Sequence, residues 1–201
     1  MTVFQLLMLG ASAFFAYKIY QHVQTLQDPE PKADNQDGEG HRSAEAFSMF
    51  DPESLIQKAD IAFEEKDFEK ALALLNEANA KQNNNNSDTL FKIAYILQQA
   101  GDNDEALKYY KEALELDKDN EFIHNAMASI YRSNGEFISA KMHLTASLEI
   151  DDSNPVTYYN YGNLLVDMQK NDEAIEMYEK ALLIDPEFSE AKEEIEKLKE
   201  A

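Results

Sequence analysis

The side chains equipped for catalysis or metal binding are few, and their spacing does not suit either task. Four histidines stand at His22, His41, His124 and His143, at separations that match no metal-ligand pattern, so packing or surface roles are expected of them. The chain has no cysteine, which removes disulfides, thiolate metal sites, catalytic thiols and acylation through sulfur. Asp117, Asp119 and Glu121 imitate the opening of a calcium loop. Glycine is missing from its sixth position, however, and Ala128 stands where a bidentate glutamate is required. Neither a phosphate-cradling glycine loop nor a strand-to-helix nucleophile elbow occurs. Asn85-Asn86-Ser87 has the form of a glycosylation acceptor and reads as a loop by chance. The expectation is a protein that is not an enzyme, with no cofactor, no bound metal and no small-molecule substrate.

Charge narrows the partners. The 39 acidic and 18 basic residues give a formal charge of -21, which repels phosphate backbones and anionic headgroups, so no nucleic-acid partner is expected. Residues 51–201 hold 33 acidic and 15 basic side chains, a solvated exterior that a basic partner could meet with salt-sensitive binding. Six glycines and five prolines in 201 residues, 44% of them hydrophobic, favour regular helix over a loop-rich sandwich.

Composition then divides the chain. Val3 to Tyr17 contains no ionisable residue and is apolar on all sides through Phe4, Leu6, Leu7, Met8, Leu9, Phe14 and Phe15. At about 1.5 Å per residue it forms roughly 25 Å of helix, enough for one membrane span with little tilt. Residues 1–20 are therefore expected to be a transmembrane anchor helix, with Tyr17 and Tyr20 flanking Lys18 at the headgroup level. A cleaved signal peptide is the rival reading. It lacks a basic start, and its small triplet Ala11, Ser12, Ala13 interrupts the apolar run instead of ending it. Lys18, Lys32 and Arg42 all follow the span, which favours a cytosolic body. Residues 21–50, with Pro29, Pro31, Gly38 and Gly40 among acids and amides, read as a flexible acidic linker.

Beyond residue 50 the chain repeats itself. Small residues recur at Ala71, Ala106, Ala140 and Ala174, again at Ala78, Ala113, Ser147 and Ala181, and again at Ala59, Ala94, Ala128 and Gly162. Small side chains at one fixed period mark points where two helices cross closely, once per unit. Turns at Lys66-Asp67-Phe68, Gly101-Asp102-Asn103, Gly135-Glu136-Phe137 and Gln169-Lys170-Asn171 precede the first set, with Gly suited to ending one helix and Asp or Asn to capping the next. Asp51-Pro52 and Asn154-Pro155 are helix starts, and others fall around Ser87-Asp88 and near Asn120. Each unit is thus two antiparallel helices, and the amide run Asn83 to Asn86 lengthens one loop between units.

These residues resemble the tetratricopeptide repeat family. In unit 4 the match runs through Tyr158, Tyr161, Gly162, Leu165, Ala174, Tyr178, Ala181 and Pro186. In unit 2 it runs through Leu90, Ile93, Ala94, Leu97, Gly101, Ala106, Tyr110 and Ala113. Unit 3 keeps Met127, Ala128, Tyr131, Gly135, Ala140 and Leu144, but has His124 first and Ser147 at an alanine position. Unit 1 departs furthest, with Lys58 at the leucine position and Phe63 one place late. The repeats are 52–85, 87–120, 121–154 and 155–188, and 189–201 is a polar capping helix with Ala191, Ile195 and Leu198 turned inward.

The resemblance implies an all-α fold, a right-handed solenoid of four helix-turn-helix repeats over 51–201 preceded by the anchor. It further implies a concave groove that takes a protein or peptide partner. Its groove positions fall on Phe91, Lys92, Tyr95 and Gln98, on Phe122, Asn125, Ser129 and Arg132, and on Tyr159, Asn160, Asn163 and Asp167. Asn side chains donate and accept at once, and Tyr and Phe offer rigid contact area. Lys92 and Arg132, the basic groups of the set, are expected to meet a ligand carboxylate. The implied function is a bacterial-type, single-pass membrane-anchored scaffold with its repeats in the cytoplasm. The alternatives are a periplasm-facing assembly factor or chaperone and a regulatory subunit of a membrane enzyme.

Overall fold

A computed structural model describes residues 50–200, which form nine helices and no strand among the described residues. The expected anchor over 1–20, the linker over 21–50 except its last residue, and residue 201 lie outside the described residues. None of the nine helices is long and apolar enough to cross a membrane.

The helices are α1 (Pro52–Glu64), α2 (Phe68–Lys81), α3 (Ser87–Gln99), α4 (Asn103–Leu116), α5 (Glu121–Ser133), α6 (Phe137–Ile150), α7 (Pro155–Asp167), α8 (Asn171–Ile184) and α9 (Ser189–Glu200). Consecutive helices pair as four hairpins, each hairpin packs on the next, and α9 packs on α8. The small-residue positions are the crossing points. Ala59, Ala71, Ala78, Ala94, Ala106, Ala113, Ala140, Ser147, Ala174 and Ala181 are wholly buried. Between those crossings, large apolar groups fill the seams continuously from hairpin to hairpin, as Leu90, Tyr110, Ile123 and Met127 do across α3, α4 and α5. Ala191 and Ile195 of α9 close the last seam against Tyr178 and Ala181.

The ends of the helices follow from local chemistry. Asp51, Asp67, Asn86, Asp102, Asn120 and Asn154 each accept a backbone N–H of the first turn they cap. Two of the expected turns differ. Glu136 and Lys170 are the caps of α6 and α8, and neither side chain accepts a backbone N–H of the helix it precedes; Asn171 already lies inside α8. The Asn83–Asn86 run is the longer loop that was expected, with Asn83 and Asn84 in the left-handed region at φ 58° and 54°.

Every hairpin turn uses one geometry. Lys66, Gly101, Gly135 and Gln169 have φ of 61°, 89°, 77° and 61°. The following N–H reaches back five residues in each case, from Asp67 to Ala62, Asp102 to Leu97, Glu136 to Tyr131 and Lys170 to Leu165, at 2.8–2.9 Å. Glycine adopts this conformation freely, whereas Lys66 and Gln169 bear a Cβ there. Lys66→Gly and Gln169→Gly are each expected to stabilise the array by about 0.5–1 kcal/mol, the relief of strain less the added freedom of the unfolded chain. Denaturant unfolding checks this; a loss of stability in both variants contradicts it.

Candidate functional site

Among the first helices of the hairpins, α5 packs directly against both α3 and α7. Their side chains surround a cleft of about 380 Å³, with Phe91, Tyr95 and Gln98 from α3, Phe122, Asn125 and Ser129 from α5, and Val156 and Asn160 from α7. Tyr95, Phe122 and Val156 are 40%, 56% and 46% exposed, so large apolar groups are held in solvent around one hollow. A second hollow of about 210 Å³ adjoins it, lined by Asp60, Phe63, Phe91, Lys92, Tyr95 and Ile96.

Aromatic packing fixes the cleft wall. Phe91 and Tyr95 stack at 6.4 Å with planes 15° apart. Tyr95 leans on Phe63 at 5.7 Å, and Phe63 on Phe68 at 5.8 Å. Phe91 packs on Tyr110 at 5.6 Å, and the Tyr110 hydroxyl donates to Gln98 Oε1 at 2.9 Å. Burial pushes the Tyr110 phenol above its ordinary value, so this donor stays protonated across the physiological range.

The basic groups are paired within the protein. Lys92 Nζ lies 2.5 and 2.7 Å from the two oxygens of Asp60 on α1. Arg132 Nη1 lies 3.0 Å from Asp167 Oδ2 on α7. Both cations are therefore paired with acids of a neighbouring hairpin, and a ligand carboxylate would have to displace Asp60 or Asp167. With more than a third of the Lys92 and Asp60 side chains exposed, such a pair contributes about 0–1 kcal/mol and serves mainly to set charge pattern.

Asn125 is also turned inward. It is 7% exposed, its Nδ2 donates to Ser147 Oγ at 2.8 Å and Thr157 Oγ1 at 2.6 Å, and its Oδ1 accepts from Asn160 Nδ2 at 3.2 Å. Ser147 Oγ donates onward to the Glu121 carbonyl at 3.2 Å. This buried network ties α5, α6 and α7 together. Tyr159 packs against Tyr178 and Phe188 at 5.7 and 5.1 Å, and Asn163 accepts the Tyr178 hydroxyl at 2.8 Å. These two face hairpin 4 and the cap instead of the cleft.

Thus Phe91, Tyr95, Gln98, Phe122, Asn125, Ser129 and Asn160 come together, Lys92 sits in the adjoining hollow, and Arg132, Tyr159, Asn163 and Asp167 serve internal contacts. Val156 was legible, since it shares Phe122's register one unit later. Phe63 and Asp60 were overlooked because the departures of unit 1 from the repeat hid its contribution. His124 and His143, which looked unrelated, meet across hairpin 3 with their Nδ1 atoms 2.9 Å apart. Among the described residues no three metal-ligating side chains converge.

Comparison with known proteins agrees with this architecture. Two family models, both described as tetratricopeptide repeat, match residues 62–130 and 156–188, together half of the chain. No curated protein matches the sequence. Among solved structures, the MamA protein is similar at 24% identity and a TM-score of 0.63, over 74% of this chain and 81% of that one. PilF of Pseudomonas aeruginosa is similar at 21% identity and a TM-score of 0.67, over 73% of this chain and 67% of that one. YrrB, described as a TPR protein with an unusual peptide-binding site, is similar at 19% identity and a TM-score of 0.60, over 70% and 72%. At these identities the likeness is one of fold. Four hairpins crossing at one period of small residues, the shared left-handed turn and the matched repeats have a single reading: the chain belongs to the tetratricopeptide repeat family.

Proposed function

We propose that the protein is a membrane-anchored adaptor that holds a peptide or protein partner in the cleft formed by α3, α5 and α7. Tetratricopeptide repeat proteins are protein–protein interaction scaffolds, and YrrB, of the same fold, has a peptide-binding site. The observation that carries the reading here is the exposure of Tyr95, Phe122 and Val156 around one hollow whose floor and rim bear amides and a hydroxyl. Rigid aromatic groups give contact area at small entropic cost, while Gln99 and Ser129, which form no side-chain hydrogen bond within the described residues, remain for a partner backbone. With Lys92 and Arg132 neutralised by Asp60 and Asp167, apolar and amide contacts outrank carboxylate capture in this cleft.

Residues 1–20 supply the anchor in this reading, and residues 21–50 the tether, with the repeats on the cytoplasmic side of a bacterial-type inner membrane. Composition supports this: an uncharged run from Val3 to Tyr17 is followed by the basic residues Lys18, Lys32 and Arg42. A reporter fused after Ala201 is expected to be active in the cytoplasm; activity only outside it would support the periplasm-facing assembly factor instead.

The cleft is tested with Tyr95→Ala and Phe122→Ala together. Both side chains are exposed, so the fold is retained, while loss of two aromatic anchors at about 1–2 kcal/mol each weakens binding roughly 30-fold or more. Partners crosslinked to the full chain and identified by mass spectrometry should fall away in the double variant. An unchanged set contradicts the cleft as the binding site.

A further inference from the structure

Hairpin 3 differs from the other three in the chemistry of its seam. At the register of His124 and His143 the other hairpins carry Leu55 and Leu74, Leu90 and Tyr109, and Tyr158 and Met177. The two imidazoles meet through Nδ1 atoms 2.9 Å apart, with ring centroids 5.1 Å apart and planes tilted by 42°. Nitrogens and centroids therefore lie nearly on one line, the arrangement of a single N–H···N bond. A metal would instead need the two lone pairs to converge on a third point. Tyr131 stacks on His143 at 5.3 Å with planes 15° apart, and His143 is 7% exposed. One proton satisfies the pair, one nitrogen donating and the other accepting. A second sets two N–H donors against each other with no acceptor between them.

We propose that His124 and His143 form a proton-operated latch, which clamps α5 to α6 while one proton is shared and loosens hairpin 3 when a second arrives. Its surroundings favour the singly protonated form. Lys111 on α4 opposes a charge on His143, and the Lys118 backbone after α4 pulls His124 the other way. Glu115 and Lys118 line the cavity that His124 borders, and no acidic side chain pairs with either imidazole among the described residues. Burial is the largest influence on both rings and lowers both, His143 from 6.5 to about 4. The folded chain therefore binds fewer protons than the unfolded one. The latch is fully closed above about 6.5, and its contribution is lost as pH falls from there toward about 4. Because α5 also carries Phe122 and Ser129, acidification would loosen one wall of the cleft. The latch itself does not depend on what the cleft binds.

The test is amide hydrogen exchange on the full chain at about pH 7.5 and about pH 5, corrected for intrinsic exchange chemistry, with each hairpin read separately. The wild type should lose about 10-fold more protection in residues 121–150 than in the other hairpins. The double variant His124→Leu with His143→Tyr, which writes in the residues of hairpin 2, should abolish that excess. Equal loss in both proteins, or no excess in the wild type, overturns the proposal. Should the variant fail to fold, NMR titration of the wild-type imidazoles decides. Coupled steps with the second below the ordinary range support the latch, and two independent steps near the ordinary value overturn it.

Discussion

Asn125→Ala is expected to lower the stability of the repeat array by about 2–4 kcal/mol, from lost hydrogen bonds, polar atoms left buried and a small cavity. The substitution removes both donors to Ser147 and Thr157, which are wholly buried, and the acceptor of Asn160. Ser147 retains the Glu121 carbonyl and has Thr157 Oγ1 at 3.3 Å, so part of the network closes on itself and holds the loss to that range. At roughly 3 °C per kcal/mol for a domain of this size, the midpoint should fall by about 6–12 °C.

The loss should be recoverable by apolar chemistry. One unit earlier the corresponding positions hold Phe91, Ala113 and Ile123, an interface without the polar network. The triple variant Asn125→Phe, Ser147→Ala, Thr157→Ile should regain most of the stability, because removing all partners together leaves no orphaned donor or acceptor. Denaturant unfolding of the single and triple variants measures both. A single variant within 0.5 kcal/mol of the wild type, to use the usual size of an exposed surface change, would show the network to be energetically idle.

Gly162→Ala is the second large effect, and the sequence alone suggests the opposite. Units 1 to 3 carry Ala59, Ala94 and Ala128 in this register, and alanine gains about 1 kcal/mol over glycine inside a helix. In hairpin 4, however, a Cβ on Gly162 would lie 2.6 Å from Tyr178 Cδ1 and 2.8 Å from its Cζ, closer still to Cε1. The Tyr178 ring is wholly buried and its hydroxyl is fixed on Asn163 at 2.8 Å, so relief requires breaking that bond or moving α8. In unit 2 the matching Tyr110 sends its hydroxyl to Gln98, further along α3, and shares one buried cluster with Ala94. Overpacking and the lost hydrogen bond should exceed the propensity gain, for a net destabilisation of about 1–3 kcal/mol. Tyr178→Leu added to Gly162→Ala recreates the pairing of Leu75 with Ala59 and Leu144 with Ala128. The two changes should couple by about 1–2 kcal/mol in a double-mutant cycle. Additive effects would contradict the clash.

The chain's own pattern settled the architecture from residue 51 onward: the hairpins, their crossing points, most caps, the longer loop at Asn83–Asn86 and the closing helix. These depend on features with a short reach, the steric need for a small side chain where two helices touch and the few residues that cap a helix or end it. Such features recur at one period and reinforce one another. The pairing of polar side chains was decided at a different level. Lys92 with Asp60 and Arg132 with Asp167 join residues 32 and 35 apart, and Asn125 finds Ser147 and Thr157 at 22 and 32. A repeat register places such residues on neighbouring helices without specifying which will meet. The small rotation between successive hairpins and the rotamer each side chain takes choose the partner. For that reason groove positions read from the pattern divided into an exposed aromatic cleft and an internal network of amides and ion pairs.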